Sequence, residues 1–140
     1  MTLMKFSVYL REEKVIKASP DIAEAKGLMK NGTEDFETIK TRFVISEQTA
    51  SIIFKDTYDA LRSVLQAFLA KEGYTPYSHE AIIAFNLEKD IITLQGAIKL
   101  DKFRQLRNDV SYRAARATVE EAKEIQAIGA RLIEKLKGKV

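Results

Sequence analysis

The chain is 140 residues and 15.9 kDa, a length that favours one domain, and its 46% hydrophobic and 31% charged residues are too apolar for a disordered tail. It has no Cys and a single histidine, His79, which excludes disulfides, thiolate zinc sites and a cysteine nucleophile, and argues against a His-based metal site. The net charge is +3, with ten basic and ten acidic side chains in residues 1–70 against thirteen and ten in residues 71–140, an excess that permits a polyanionic partner without demanding one.

The N-terminus shows no charged lead into an apolar run and cleavage site, and no stretch approaches the roughly 20 apolar residues of a membrane span. A cytoplasmic protein without membrane contact is expected. Six Gly and two Pro leave too few turns for an all-β sandwich.

In chain order, Met4–Lys17 predicts a first helix with Phe6, Tyr9, Leu10 and, less regularly, Val15 and Ile16 on one side. Ser19-Pro20-Asp21 predicts a second start, with Ser19 as the cap and Pro20 where no amide is needed. Asn31-Gly32 offers a stop, and Thr33-Glu34-Asp35 a further capped start leading to Ile39 and Phe43.

The longest signal runs from Ile45 to Glu72 and is closed by Gly73. Ala50, Ile53, Phe54, Thr57, Tyr58, Ala60, Leu61, Val64, Leu65, Ala67, Phe68 and Leu69 fill an arc of roughly 200°, with Lys55, Asp59, Arg62 and Gln66 on the remainder. So wide an arc predicts a central helix covered on two sides. After the Gly73–Glu80 loop, Ser78 is expected to cap a short helix containing Ala81, Ile82, Ile83, Phe85 and Leu87. Leu100–Ala117 is helical by pattern. Thr118-Val119-Glu120-Glu121 has capping-box spacing ahead of a last helix with Ala122, Ile125, Ile128, Leu132 and Leu136 in one stripe. No segment shows a strand alternation. The expected fold is all-α: an antiparallel helical bundle of four to five main helices, one domain over 1–140, with 1–18 as an N-terminal helical extension.

Chemistry concentrates on the Leu100–Ala117 helix. Phe103, Leu106, Val110, Ala114 and Ala117 share a core face, and Arg107 lies at its border. Ser111, Arg104, Asn108 and Tyr112 follow around the next quadrant, forming a mixed polar strip beside the core. Six basic and two acidic side chains fall between Lys99 and Arg116. A guanidinium offers planar, permanently charged donors for phosphate oxygens, and a neighbouring amide can orient a ribose or base edge. Arg104, Arg107, Asn108, Ser111 and Tyr112 are therefore the candidate ligand-binding residues, for a nucleotide or an RNA backbone. The plainer alternative is an Arg107 that pairs with a carboxylate across a helix interface. Of the candidate partners Asp56 and Tyr58, Asp56 is better on charge. His79 is read as a capping or packing residue, and Tyr74 and Tyr77 as loop anchors. No P-loop, dinucleotide fingerprint or nucleophile elbow occurs, and neither a cofactor nor a metal is expected.

At Arg107-Asn108-Asp109-Val110-Ser111-Tyr112 the chain resembles the HEPN domains, small helical bundles whose late helix carries R-x-x-x-x-H, often with Asn directly after the Arg. Gly73-Tyr74-Thr75-Pro76-Tyr77-Ser78-His79 is similar to their G-x-x-P-x-x-H stretch, and the likeness covers about residues 45–137. It implies a homodimer in which the late helices flank a shared cleft. In active members the Arg and His of the motif cleave RNA without metal, and many members are toxins paired with a nucleotidyltransferase antitoxin. The chain departs from the pattern at Tyr112, which occupies the His position. A phenol titrates near 10 and is a poor base at neutral pH. Phosphate or nucleotide binding is thus the leading expectation. A metal-independent endoribonuclease using Arg107 and Tyr112 as catalytic residues is the second, and a non-catalytic interaction bundle the third.

Overall fold

The structure, a computed structural model, describes residues 3–140, so the first two residues of the expected domain lie outside it. The described chain forms α1 (Phe6–Arg11), β1 (Val15–Lys17), α2 (Ile22–Arg42), α3 (Ala50–Glu72), β2 (Tyr74–Pro76), α4 (His79–Glu88), α5 (Leu94–Tyr112) and α6 (Val119–Leu136). It is a helical bundle with one two-stranded ribbon. No helix among the described residues is long and apolar enough to cross a membrane.

Helix α3 is the axis. All twelve residues of its expected arc are buried, together with Ser51 and Ala70, while Lys55, Asp59, Arg62 and Gln66 are half-buried. It begins at Ala50 rather than Ile45 because Ser46 and Thr49 bond reciprocally. The Ser46 amide donates to Thr49 Oγ1 at 2.8 Å, and the Thr49 amide to Ser46 Oγ at 3.3 Å. These hydroxyls satisfy amides that a longer helix would have used. Gly73 ends it as expected, at a φ of 91° that an L side chain rarely adopts.

Helix α2 lies antiparallel to α3. The Asp21 amide donates to the Ala70 carbonyl, Gly32 abuts Ala60 and Val64, and Ile39 clusters with Ile53. Its cap is Asp21, which accepts from the Glu24 amide at 2.9 Å; Ser19 does not take that role. The expected break at Asn31-Gly32 and restart at Thr33 do not occur, because Gly32 is the point of closest approach to α3.

The first segment differs as well. Helix α1 stops at Arg11, Glu13 turns left-handed at φ 58°, and Val15–Lys17 is extended instead of helical. Its β-branched Val15 and Ile16 pair antiparallel with Pro76 and Thr75, and Lys17 with Tyr74. Segments 6–17 and 74–76 thereby brace each other, with Phe6 edge-on to both Tyr74 and Phe85.

The extended stretch after Gly73 carries the chain back along α3, so that α4 starts level with Tyr58 and runs in the same sense as α3. His79 stacks near Tyr58, and Asn86 Nδ2 donates to the Leu65 carbonyl at 3.1 Å. Helix α6 also runs with α3: the Ala117 amide donates to Ser51 Oγ at 2.9 Å, and Gly129 meets Leu61 further along. The bundle is therefore antiparallel at α2–α3 but not throughout. Its last helix has the expected capping box, Glu121 amide to Thr118 Oγ1 at 3.1 Å and Thr118 amide to Glu121 Oε1 at 2.9 Å. Thr118→Ala is expected to cost about 1 kcal/mol in urea unfolding.

Helix α5 begins at Leu94, capped by Thr93, and ends at Tyr112, five residues short of the expected Ala117. Phe103 is buried edge-on to Phe54, but Leu106 and Val110 are only half-buried, and Ala114 is exposed and left-handed at φ 58°. Leu106 and Val110 thus pack on the edge of the core that the apolar pattern predicts them to enter, and Ala117 is buried in it.

Candidate functional site

Ser78 caps α4 by accepting from the Ala81 amide at 3.4 Å, which fixes His79 and Glu80 in the first turn. On α5, Arg104, Arg107 and Asn108 follow at helical spacing and share one side. These two groups face each other across a cavity of about 380 Å³, which Tyr9 of α1 and Tyr112 also line. That volume lies in the range of small-molecule sites. A larger cleft of about 620 Å³ between α2 and α6 is lined by Lys40, Arg131 and Lys137 beside Glu37 and Glu134, and contains none of the predicted site residues. Volume alone is a poor guide here. The smaller cavity gathers side chains fixed by tertiary contacts and is the candidate site.

Arg107 is held from α3. Its Nε donates to Asp59 Oδ1 at 3.2 Å and its Nη2 to Asp59 Oδ2 at 3.3 Å, a bidentate pair in which the Arg107 side chain is 16% exposed. Its guanidinium carbon stands 6.0 Å from the centre of the Tyr112 ring, within cation–π range. Burial works against the charge of Arg107, but the bonds to Asp59 and Tyr112 outweigh it and hold its pKa above the ordinary value. Asp56, the carboxylate expected to pair with Arg107, is exposed and makes no contact with it; it lines a cleft with Asp35, Asp59 and Arg62. The partner is Asp59, one turn further along the helix.

Arg104 is anchored beneath. Its Nε donates to Asp101 at 2.9 Å, and its Nη1 lies 3.7 Å from Glu80, whose carboxylate also accepts from the Tyr9 hydroxyl at 3.3 Å. Asp101, 2% exposed, accepts from Gln105 as well. Burial, chiefly, raises the Tyr9 pKa, with Glu80 adding to the effect against the Met4 amide.

Four of the five expected ligand-binding residues, Arg104, Arg107, Asn108 and Tyr112, line the cavity. Ser111 does not: it lines a small groove with Ile52, Lys55, Val110 and Arg116. It sits a full turn beyond Arg107, and its short side chain cannot reach back along the helix as the long Tyr112 side chain does.

His79 is the residue that the sequence undervalued. It lines the cavity with Arg107, 6.0 Å from Tyr58 ring to ring. Burial, and then the charges of Arg62 and Arg107, push its pKa down to about 4 against the opposing pull of Asp59. It is a neutral imidazole at pH 7. Tyr58 beneath it is buried, and burial raises its pKa so that the phenol stays protonated. Arg62 contributes its charge with a buried Nε that has no hydrogen-bond partner. Asp59 and Arg62 were legible only as the polar remainder of the α3 arc; their one-turn spacing was the available signal.

Among the described residues, no group of three His, Asp or Glu side chains could hold a metal ion. No known protein family, curated protein or solved structure matches the chain.

Proposed function

We propose that the chain is a HEPN-like module that binds the phosphate of a nucleotide or RNA in the α4–α5 cavity, with Arg107 as the principal anion contact. The observation that carries this reading is Arg107, held by Asp59 in a bidentate pair, lining one cavity with Asn108, Tyr112 and His79. Asp59 aims the guanidinium without a large ordering cost on binding, since a preorganised donor has little rotamer freedom left to lose. Asn108 supplies amide donors and an acceptor for a ribose or base edge, and Tyr112, three-quarters exposed, offers a face for stacking.

The half-buried Leu106 and Val110 and the exposed Ile52 form an uncovered apolar strip next to the site. A second copy docked there would bring its own α5 alongside, which is the homodimer that the HEPN resemblance implies.

Nucleotides or short RNA at low salt are expected to raise the melting temperature. Arg107→Ala should weaken binding about 10- to 100-fold, the worth of a charged hydrogen-bond pair, while far-UV circular dichroism stays unchanged. If no phosphate ligand shifts the melting temperature of the wild-type chain, the binding reading fails. A metal-independent ribonuclease is the second reading, favoured by the neutral His79 imidazole in the cavity with Arg107. Incubation with mixed RNA and a chelator tests it, and cleavage that survives Arg107→Ala would count against it.

A further inference from the structure

The His79 imidazole makes no side-chain hydrogen bond or ion pair with any described residue, and its recorded ring contact is with Tyr58. Both ring nitrogens are therefore available to a ligand.

The charges around it are even in number, but at the ring the arginines outweigh Asp59. Asp59 and Arg62 face it from α3, Arg104 and Arg107 from α5, with Asp101 under Arg104. Glu80 shares its turn of α4, and Glu12 and Lys14 close the cavity from the α1 side. Tyr9, Tyr58, Tyr77 and Tyr112 contribute hydroxyls and ring faces. The four cations are matched in number by four carboxylates, and the two arginines lining the cavity are already paired. An entering oxyanion offsets the positive charge that the imidazole feels from the arginines. Its presence favours the cationic form of a neighbouring imidazole, the more so for two negative charges than for one.

We infer that His79 is the proton-accepting half of the anion site: a dianionic phosphate monoester binds together with one proton taken from solvent onto the imidazole, and is preferred to a singly charged phosphodiester. This rests on the anion-binding reading of the cavity and narrows its ligand to a terminal phosphate. With its pKa near 4, the imidazole of the unliganded protein is neutral at pH 7 and leaves room for that uptake as pH falls. A dianion raises the midpoint, so affinity is flat above the bound-state midpoint and increases as pH falls below it, until the empty-state midpoint is reached.

His79 is the chain's single histidine, so its ring proton is one assignable signal in the NMR spectrum of the untagged protein. Sulfate serves as a probe that stays dianionic through this range, and dimethyl phosphate as a singly charged control, at equal ionic strength. Sulfate is expected to move the His79 midpoint up by about two pH units or more, and dimethyl phosphate by less. Sulfate should also bind at least about fourfold more tightly at pH 5.5 than at pH 7.5, and His79→Gln should abolish that pH dependence. An unmoved midpoint, or a pH dependence that survives in His79→Gln, overturns the inference. If sulfate still binds in an Arg107-dependent manner, the anion-site reading stands without it. If neither probe binds at either pH, both fall together.

Discussion

Replacing Gly32 with valine is expected to lower stability by about 3 kcal/mol or more, the upper end of overpacking costs. A Cβ at this position would stand 2.7 Å from the Ala60 carbonyl oxygen and 2.8 Å from Val64 Cγ2, both on α3. The first is backbone and the second belongs to a fully buried side chain, so relief requires the two longest helices to move apart. Gly32→Ala should already destabilise, even though alanine favours helix by about 1 kcal/mol over glycine. Gly27 on the same helix provides the control: nothing lies within 4 Å of its Cβ position, so Gly27→Ala should stabilise by up to that amount. Urea midpoints for the three variants decide the matter. A Gly32→Val protein as stable as the wild type would mean that α2 does not cross α3 at this point.

Asp101→Asn is expected to separate stability from binding. The carboxylate is 2% exposed and receives Arg104 Nε and Gln105 Nε2, both at 2.9 Å. Neutralising it leaves a largely buried guanidinium with Glu80 at 3.7 Å as its remaining ion-pair partner. Loss of one partner from a buried pair costs about 3 kcal/mol or more, because the surviving charge is desolvated without compensation; the retained Glu80 contact should hold the loss near about 2–3 kcal/mol. The same change removes a negative charge from beneath the cavity, so sulfate should bind a few-fold more tightly at low salt. A less stable protein with a larger sulfate-induced rise in melting temperature is the diagnostic pair of results. Loss of both properties would show that Asp101 shapes the cavity, and that its charge is secondary.

The parts of this structure legible from the residues are those governed by local chemistry. Ser78, Thr118 with Glu121, and Gly73 act where their neighbours in sequence predict, since each satisfies or frees backbone groups within a few residues of itself. The buried arc of α3 was readable for a similar reason: one helix turning through 100° per residue must carry its apolar side chains to wherever the core is. Gly32 was misread because a glycine after Asn carries the same local signature whether it ends a helix or admits a neighbouring one. Asp56 and Asp59 presented the same ambiguity. They stand three residues apart on one helix, and the distinction between them lies in which edge of a wide apolar arc α5 approaches.

By itself the sequence determined a helical chain around one dominant helix, with an arginine-bearing strip on the helix before the last. Only the tertiary structure decided that β1 pairs with β2, that Asp59 clamps Arg107, that Ser111 falls outside the cavity, and that His79 falls within it. The physical reason is distance along the chain. Caps and periodicity act over one or two turns, whereas the pairings that make the site join residues 48 positions apart in Arg107–Asp59 and 71 in Tyr9–Glu80. Such contacts form only once packing has fixed the rotation of each helix about its own axis.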